Sequence, residues 1–356
     1  MSTQPLEITL DLTPKARFDI INVAAKINDQ NGDLFNDYRK TICCSFHTTA
    51  GYLEQQLCAK LDYSEERLNQ FIRIFQKLFP PNAGYFHDCL ELRKELNESE
   101  REQESINADS HLTYMSAGLK NCVTYVNKPR TPIYFIDLDG INRHCYRNRR
   151  TTILAYNKEK IVYQGRFFIP AAKEHPINSF NLRDPRYGLF SHLTDLLDSH
   201  GIEKGRIDIS LAPEERHAGL TVNEYETLLM RNDLHDAMRD PLRYLVRHGK
   251  KLLHNPASIP SKTRGYAIYD LIHLYNELMN SLVIGRSVID RIFSYLTAPA
   301  SRIFRLKREI NLLISNNTET GPGRIVQGTY QSPILLQRRK ADKDVRRLEI
   351  TLWNFE

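Results

Sequence analysis

The 356-residue sequence contains no Cys-x-x-Cys pair, and its second half contains no cysteine at all. The six cysteines (Cys43, Cys44, Cys58, Cys89, Cys122 and Cys145) all fall in the first half. That spacing argues against a zinc or disulfide framework and predicts reduced thiols, mostly in the core. No apolar run approaches the ~18 residues that a bilayer span needs, so no membrane is expected as a partner. The start, MSTQPLEITL, lacks a basic stretch followed by an apolar one. No secretory signal is therefore expected, and the expected location is cytoplasmic. An excess of one charge is also small: 49 Lys and Arg against 43 Asp and Glu leave +6, which does not by itself imply nucleic acid. The rest is ordinary for a globular chain, with 41% hydrophobic and 26% charged residues. The length suggests two domains at roughly 100–200 residues each, and it is ample for a sizeable core.

The chain repeats an order of features rather than a stretch of identity. LEITLDLT, then the apolar-periodic RFDIINVAAKIND, leads to the β-rich TICCSFHTTAGYLEQQ with Ala50-Gly51. In the second half GRFFIPA, then YGLFSHLTDLLDSHG, leads to GRIDISLAPEERHAGLTVNE with Ala218-Gly219. Each half closes on a Pro-Ile strand, a turn, Arg-Arg and a last β-branched or aromatic strand: TPIYFIDLDG to RRTTILAYN, and SPILLQRRK to RRLEITLWN. The closers read as hairpins. Recurrence in order predicts a tandem duplication, with domains at 1–160 and 161–356 and the join near 158–164.

Helical periodicity marks several segments between these landmarks. Residues 63–79 place Leu68, Phe71, Ile72, Phe75 and Leu78 on one face, and Pro80-Pro81 stops the run. Residues 107–119 read as a helix that leads into a strand at 122–126. In the second half 223–246 and 266–281 are helical by pattern. Residues 301–308 precede a strand near 310–315, and 235–299 form a helical insertion. The charged segment 91–103 reads as a solvated helix or loop.

Several short motifs run in a recognisable order. They are His47-Thr48-Thr49-Ala50, Tyr85-Phe86-His87-Asp88 and Asn107-Ala108-Asp109-Ser110-His111 in the first half. The second half has Asn223-Glu224 and then Gly323-Arg324-Ile325-Val326-Gln327-Gly328-Thr329-Tyr330-Gln331. In this order the chain resembles the YjbQ family of secondary thiamine-phosphate synthases, in two diverged copies. The resemblance implies an α+β fold: two tandem YjbQ-like domains, each a mostly antiparallel β-sheet or sandwich packed with helices. The departures are complementary. The first copy keeps three histidines, has Gln55-Gln56 in place of Asn-Glu and lacks the Gly-Thr-Trp-Gln segment. The second keeps Asn223-Glu224 and Gly-Thr-Tyr-Gln, with Tyr330 for Trp. Aligned on Ala-Gly, Glu215 stands at the place of His47, and Arg302 stands at that of His111. A composite site is the expectation.

What the resemblance implies for chemistry follows residue by residue. His47, His87 and His111 are candidate ligands of a divalent metal (zinc, manganese or magnesium), since neutral imidazole is a common transition-metal ligand. Asp88 and Glu224 are the candidate catalytic carboxylates, and Asp88 and Asp109 are also placed to orient imidazoles. Thr48, Arg302, Asn223, Arg324, Thr329, Tyr330 and Gln331 are candidate contacts to a small phosphorylated or heteroaromatic ligand. The implied reaction joins a pyrimidine diphosphate to a thiazole phosphate with loss of pyrophosphate, in a homo-oligomer, typically a trimer. Each residue also has a plainer reading. Isolated histidines are mostly core or surface hydrogen-bonders, Glu224 suits a helix N-terminus, and Gly323 and Gly328 suit a bulged hairpin. Three classes stay open: a metal-dependent transferase, a non-catalytic scaffold of two degenerate copies, and a nucleic-acid binder using the Arg-rich stretches 143–150 and 338–347.

Overall fold

The structure is a computed structural model, and it describes residues 4–32, 37–92, 97–142, 145–171, 178–224, 307–317, 321–337 and 344–356. The predicted insertion at 235–299, the predicted helix at 266–281, most of the one at 223–246, and Arg302 lie outside the described residues. Contacts divide the chain into two compact units. One comprises 1–63, 119–226 and 306–356; the other comprises 64–118 and 227–305.

Among the described residues, the first unit carries every strand. From the first half come β1 (Leu6–Leu12), β2 (Asp19–Asn22), β3 (Lys40–Ser45), β4 (Ala50–Gly51), β5 (Cys122–Val126) and β6 (Tyr134–Asp137). The short β7 (Ile141–Asn142) and β8 (Cys145–Tyr146) and the long β9 (Arg149–Tyr156) complete that set. From the second half come β10 (Glu159–Pro170), β11 (Asn178–Asn181), β12 (Gly205–Leu211), β13 (Ala218–Asn223) and β14 (Glu309–Ser315). They are followed by β15 (Arg324–Val326), β16 (Ser332–Gln337) and β17 (Val345–Phe355). Helices α1 (Val23–Asn31) and α2 (Gln55–Lys60) belong to the first half, and α6 (Leu189–His200) to the second.

The two halves share one strand order. The larger sheets run β1-β9-β3-β5 and β10-β17-β12-β14-β15, and the smaller run β2-β6-β4 and β11-β16-β13. All these pairings are antiparallel. Register agrees as well. Ala50 faces Asp137 and Ala218 faces Gln337, with Gly51 and Gly219 next in line. Ser45, the last residue of β3, faces Thr151, and Leu211, the last of β12, faces Leu348. Each of those partners stands two residues after the first arginine of its Arg-Arg pair. Two isolated bridges match too, Tyr52 with Lys120 and Leu220 with Lys307. The fold is α+β with antiparallel sheets. The stretch 158–164, where the sequence predicts a join, starts in the turn between β9 and β10 and runs into β10.

Three expectations need correction. The closing segments are not hairpins: β6 and β9 lie in different sheets, as do β16 and β17, because each connection crosses from one sheet layer to the other. Asn223 ends a strand instead of starting a helix. Counting back from the Ala-Gly partners puts Ile133 at the place of Pro333, one residue off the Pro-Ile match.

Burial follows alternation. In β12 the pattern Gly205–Leu211 buries every second residue, so Ile207 and Ile209 enter the core. One core lies within each half. The first gathers Leu10, Ile27, Tyr52, Phe135 and Ile153. The second gathers Leu193, Ile207, Leu220, Leu335 and Ile350. A third cluster joins the halves, with Ile42, Cys44, Cys122, Leu154 and Tyr156 against Leu313 and Phe355. In it the rings of Tyr156 and Phe355 stack at 3.8 Å. Cys43, Cys44, Cys58 and Cys122 are buried free thiols, in line with the expectation for the core.

The second unit, where described, is helical: α3 (Glu65–Leu78), α4 (Glu98–Gln103) and α5 (Ala108–Ala117). Ser64 caps α3 by accepting from Arg67 N at 3.4 Å. The helix buries Leu68, Phe71, Ile72, Ile74, Phe75 and Leu78. It ends at Phe79, just before Pro80, as the missing N–H of proline requires. α5 is buried along its whole length and ends on Gly118 in the left-handed conformation. Among the described residues no helix is long and apolar enough to cross a membrane.

Candidate functional site

The turn after β3 is built on its own polar groups. Ser45 Oγ donates to Ala50 O at 2.7 Å and accepts from His47 N at 3.2 Å. This folds residues 46–49, including Thr48, into a tight connection to β4. His47 then crosses to β9, where its Nε2 accepts the backbone N–H of Arg150 at 2.8 Å. That bond requires the neutral tautomer with its proton on Nδ1. Burial, and then the guanidiniums of Arg149, Arg147 and Arg150, lower the imidazole pKa to about 3. The Nε2 lone pair, which a metal on that atom would need, is therefore committed to the backbone of β9.

Beside His47 lies a buried ion pair. Arg149 Nε donates to Asp137 Oδ2 at 2.7 Å and Nη2 donates to Oδ1 at 2.8 Å, a two-pronged contact. Nη2 also reaches Asp139 O at 2.6 Å. Arg149 is 2% exposed and Asp137 0%. The second half has the same arrangement with different residues. Arg346 Nη1 donates to Glu215 Oε2 at 2.7 Å, and Glu215 Oε1 accepts from Arg347 N at 3.1 Å. From sequence, Arg149, Arg346 and Arg347 fall within the Arg-rich stretches 143–150 and 338–347 offered as a nucleic-acid surface, but Arg149 and Arg346 are buried in these ion pairs. The recurring Arg-Arg pair was the available signal.

The Gly-Thr-Tyr-Gln segment of the second half rests on this first-half turn. Gln331 is fully buried. Its Nε2 donates to Ser45 O and to His47 O, both at 2.8 Å, and its Oε1 accepts from Gly328 N at 3.0 Å. A Cβ on Gly328 would lie 1.8 Å from Phe46 O, so only glycine allows this approach. The exposed tip is Thr329 and Tyr330, the tyrosine 67% exposed. In the second half Arg308 satisfies the matching carbonyls, donating to Leu211 O, Ala212 O and Glu215 O at 2.7–3.1 Å. The structure thus brings His47 and Gln331 together through backbone carbonyls and a side-chain amide.

Asn223, Glu224 and Arg324 also lie in the first unit. Asn223 ends β13, fully buried, and its Oδ1 accepts from Glu224 N at 2.8 Å. Arg324 is exposed on β15.

In the second unit His87 and His111 are both fully buried, with ring centroids 5.2 Å apart. Asp88 Oδ1 stands 3.2 Å from His87 Nδ1. The same oxygen accepts from Ala108 N at 3.0 Å and so caps α5. His111 sits one turn into that helix, and Asp109 precedes it at 9% exposure. Asp88 therefore fixes both the imidazole of His87 and the start of the helix that carries His111.

No protein-family model matches the sequence, and no curated protein matches it. Solved structures do. A YbjQ-like protein of unknown function from Sulfolobus solfataricus P2 is 14% identical, with 55% of this chain and 99% of that chain covered and a TM-score of 0.29. A conserved protein of the YjbQ family from Clostridium acetobutylicum is 10% identical, with coverage of 52% and 98% and a TM-score of 0.26. A conserved hypothetical protein from Thermus thermophilus is 16% identical, with coverage of 52% and 97% and a TM-score of 0.23. Likeness at these scores says nothing about activity. The solved structures similar to this chain include YjbQ-like proteins, each covering about half of it.

Proposed function

We propose that the chain consists of two diverged copies of one YjbQ-like fold in tandem and works as a metal-dependent enzyme on a small phosphorylated molecule. The observation that carries the metal reading is the buried His87–His111 pair with Asp88 on His87 Nδ1. A carboxylate on one ring nitrogen fixes the tautomer and presents the other nitrogen as a ligand, the usual support of a metal-bound histidine. Two imidazoles suit zinc better than manganese or magnesium, which prefer oxygen. A bound divalent ion would supply Lewis acidity toward a phosphoryl oxygen. His87 and His111 would hold it, and Asp88 would keep His87 in the required tautomer. A thiamine-phosphate-synthase-like transfer is the finer form of this reading and rests on the motif resemblance alone. Elemental analysis of the dialysed protein tests it. Near-stoichiometric zinc or manganese is expected in wild type and in His47→Ala, with loss in His111→Ala. Wild-type protein without metal, even after incubation with zinc and manganese, would overturn it.

A second reading, a non-catalytic scaffold, has its own support. Gln331, which the motif offers as a ligand contact, and Gly328 beside it hold the second half against the first. That reading predicts a folded, metal-free protein.

A further inference from the structure

We propose that the cleft between the first-half sheet and the β14–β15 hairpin binds the phosphate group of a small molecule, with Arg150 and Arg324 as its cationic contacts. The inference does not depend on the metal reading of His87 and His111.

The cleft has a volume of about 700 Å³, within the range of small-molecule sites. One wall is β1 and β9 of the first half, with Thr9, Arg150 and Thr152. The other is the hairpin of the second half, with Arg324 and Gln327. The lining also contains an acid, Glu7, but that charge is answered inside the protein. Lys204 Nζ lies 2.9 Å from Glu7 Oε2, and Ser315 Oγ lies 2.6 and 2.7 Å from its two oxygens. Among the described residues, the charge left to a ligand is positive. Arg324 is exposed and has no ion-pair partner among the described residues. Among the described residues Arg150 pairs with an exposed acid, Asp11, at 3.1 Å, with both side chains 59% exposed. Such a pair contributes little and yields readily to a stronger anion. The backbone of Arg150 is nevertheless fixed, because His47 accepts its N–H. Gln327 Nε2, shielded from solvent, has no hydrogen-bond partner among the described residues and adds a donor to the lining.

Two guanidiniums on different strands favour phosphate over carboxylate. A planar carboxylate matches one guanidinium fork, whereas a tetrahedral dianion offers oxygens to both at once. The remaining volume, with the hydroxyls of Thr9 and Thr152, would hold the polar body of the molecule.

The test is calorimetric titration of the full-length protein with inorganic phosphate, in chloride buffer of matched ionic strength containing EDTA. Saturable binding is expected. Arg324→Gln and Arg150→Gln should each weaken it by about tenfold or more, the scale of one charged hydrogen bond. Arg324→Lys should fall between, since it keeps the charge and loses the fork. Asp11→Asn should tighten binding by freeing Arg150. Arg166→Gln, on β10 and away from the cleft, should change nothing. Absence of saturable binding, equal affinity in Arg324→Gln, or binding seen only when EDTA is left out would each overturn the proposal. The last result would mean that phosphate had been held by a metal.

Discussion

His47 and Glu215 accept the same hydrogen bond, each from the backbone N–H of the second residue of an Arg-Arg pair: Arg150 N at 2.8 Å and Arg347 N at 3.1 Å. They stand three residues before Ala50 and Ala218, which face Asp137 and Gln337 on the neighbouring strand. The carboxylate has changed place between the halves. In the first half the turn residue is a neutral imidazole and the strand residue, Asp137, holds the buried Arg149. In the second the strand residue is Gln337 and the turn residue, Glu215, holds the buried Arg346. Each buried guanidinium keeps one carboxylate, because a buried charge without a partner is costly.

This relation predicts a swap. Asp137→Gln alone leaves Arg149 buried without an anion and should cost about 3–5 kcal/mol. Adding His47→Glu rebuilds the second-half arrangement and should recover on the order of 1–2 kcal/mol. Urea unfolding of the two single variants and the double variant measures this. A double variant no more stable than Asp137→Gln would rule out the equivalence.

The acid limb of stability should report His47. Its folded pKa, about 3, lies below the ordinary value of 6.5. The unfolded chain therefore takes up a proton between pH 6.5 and 3 that the folded chain refuses. Stability from this group is fully present above pH 6.5 and is lost as pH falls toward 3. One proton corresponds to ~1.4 kcal/mol per pH unit, so ~2 kcal/mol should disappear between pH 6.5 and 5. His47→Gln keeps a side-chain acceptor without the titration. Its unfolding free energy should stay flatter across that interval than that of wild type, and parallel curves would contradict the assignment.

Gln331→Ala should loosen the contact between the halves. Three partners, Ser45 O, His47 O and Gly328 N, lose their hydrogen bonds in a buried place. A loss of on the order of 3 kcal/mol is expected, since each buried unsatisfied group costs roughly 1–3 kcal/mol and water will relieve some of them. Gly328→Ala should be at least as damaging, because its Cβ would run into backbone at Phe46. Thermal melts of both variants, with Thr329→Ala as the exposed control, check the order.

Much of the strand layout is legible in the sequence, because alternation and recurring pairs such as Ala-Gly and Arg-Arg are local. The helix at α3 is legible from its apolar face and the prolines that stop it. What is not legible depends on partners distant in sequence. The Pro-Ile segments look aligned but differ by one residue, since register is set by the facing β4 and β13. The closing segments look like hairpins, but their strands enter different sheets. For the candidate site, the sequence names His47 and Gln331 but cannot say that one imidazole lone pair is committed to Arg150 N, or that the amide lies on the carbonyls of another half. Glu215 and Arg346 pair across 131 positions, with no local spacing to announce it.

Asp88 offers the sharpest separation between a structural and a metal-supporting role for the second unit. One of its oxygens lies on His87 Nδ1 at 3.2 Å and also accepts from Ala108 N at 3.0 Å. As a helix cap alone, it should tolerate Asp88→Asn, because asparagine caps as well as aspartate does, and the melting midpoint should barely move. As the brace of a metal-bound histidine, it is harder to replace. An amide carries no charge to offer a metal-bound imidazole, and loss of such a partner typically weakens metal binding 10–100-fold. Asp88→Asn should therefore weaken zinc binding by that factor in a competition assay with a fluorescent chelator, while the thermal midpoint of the metal-free protein stays within a few degrees of wild type. Asp88→Ala should lower both, with about 1 kcal/mol lost from the cap. Unchanged zinc affinity in Asp88→Asn, measured where wild-type protein binds zinc, would leave the carboxylate as a cap only and remove the support that it gives to the metal reading.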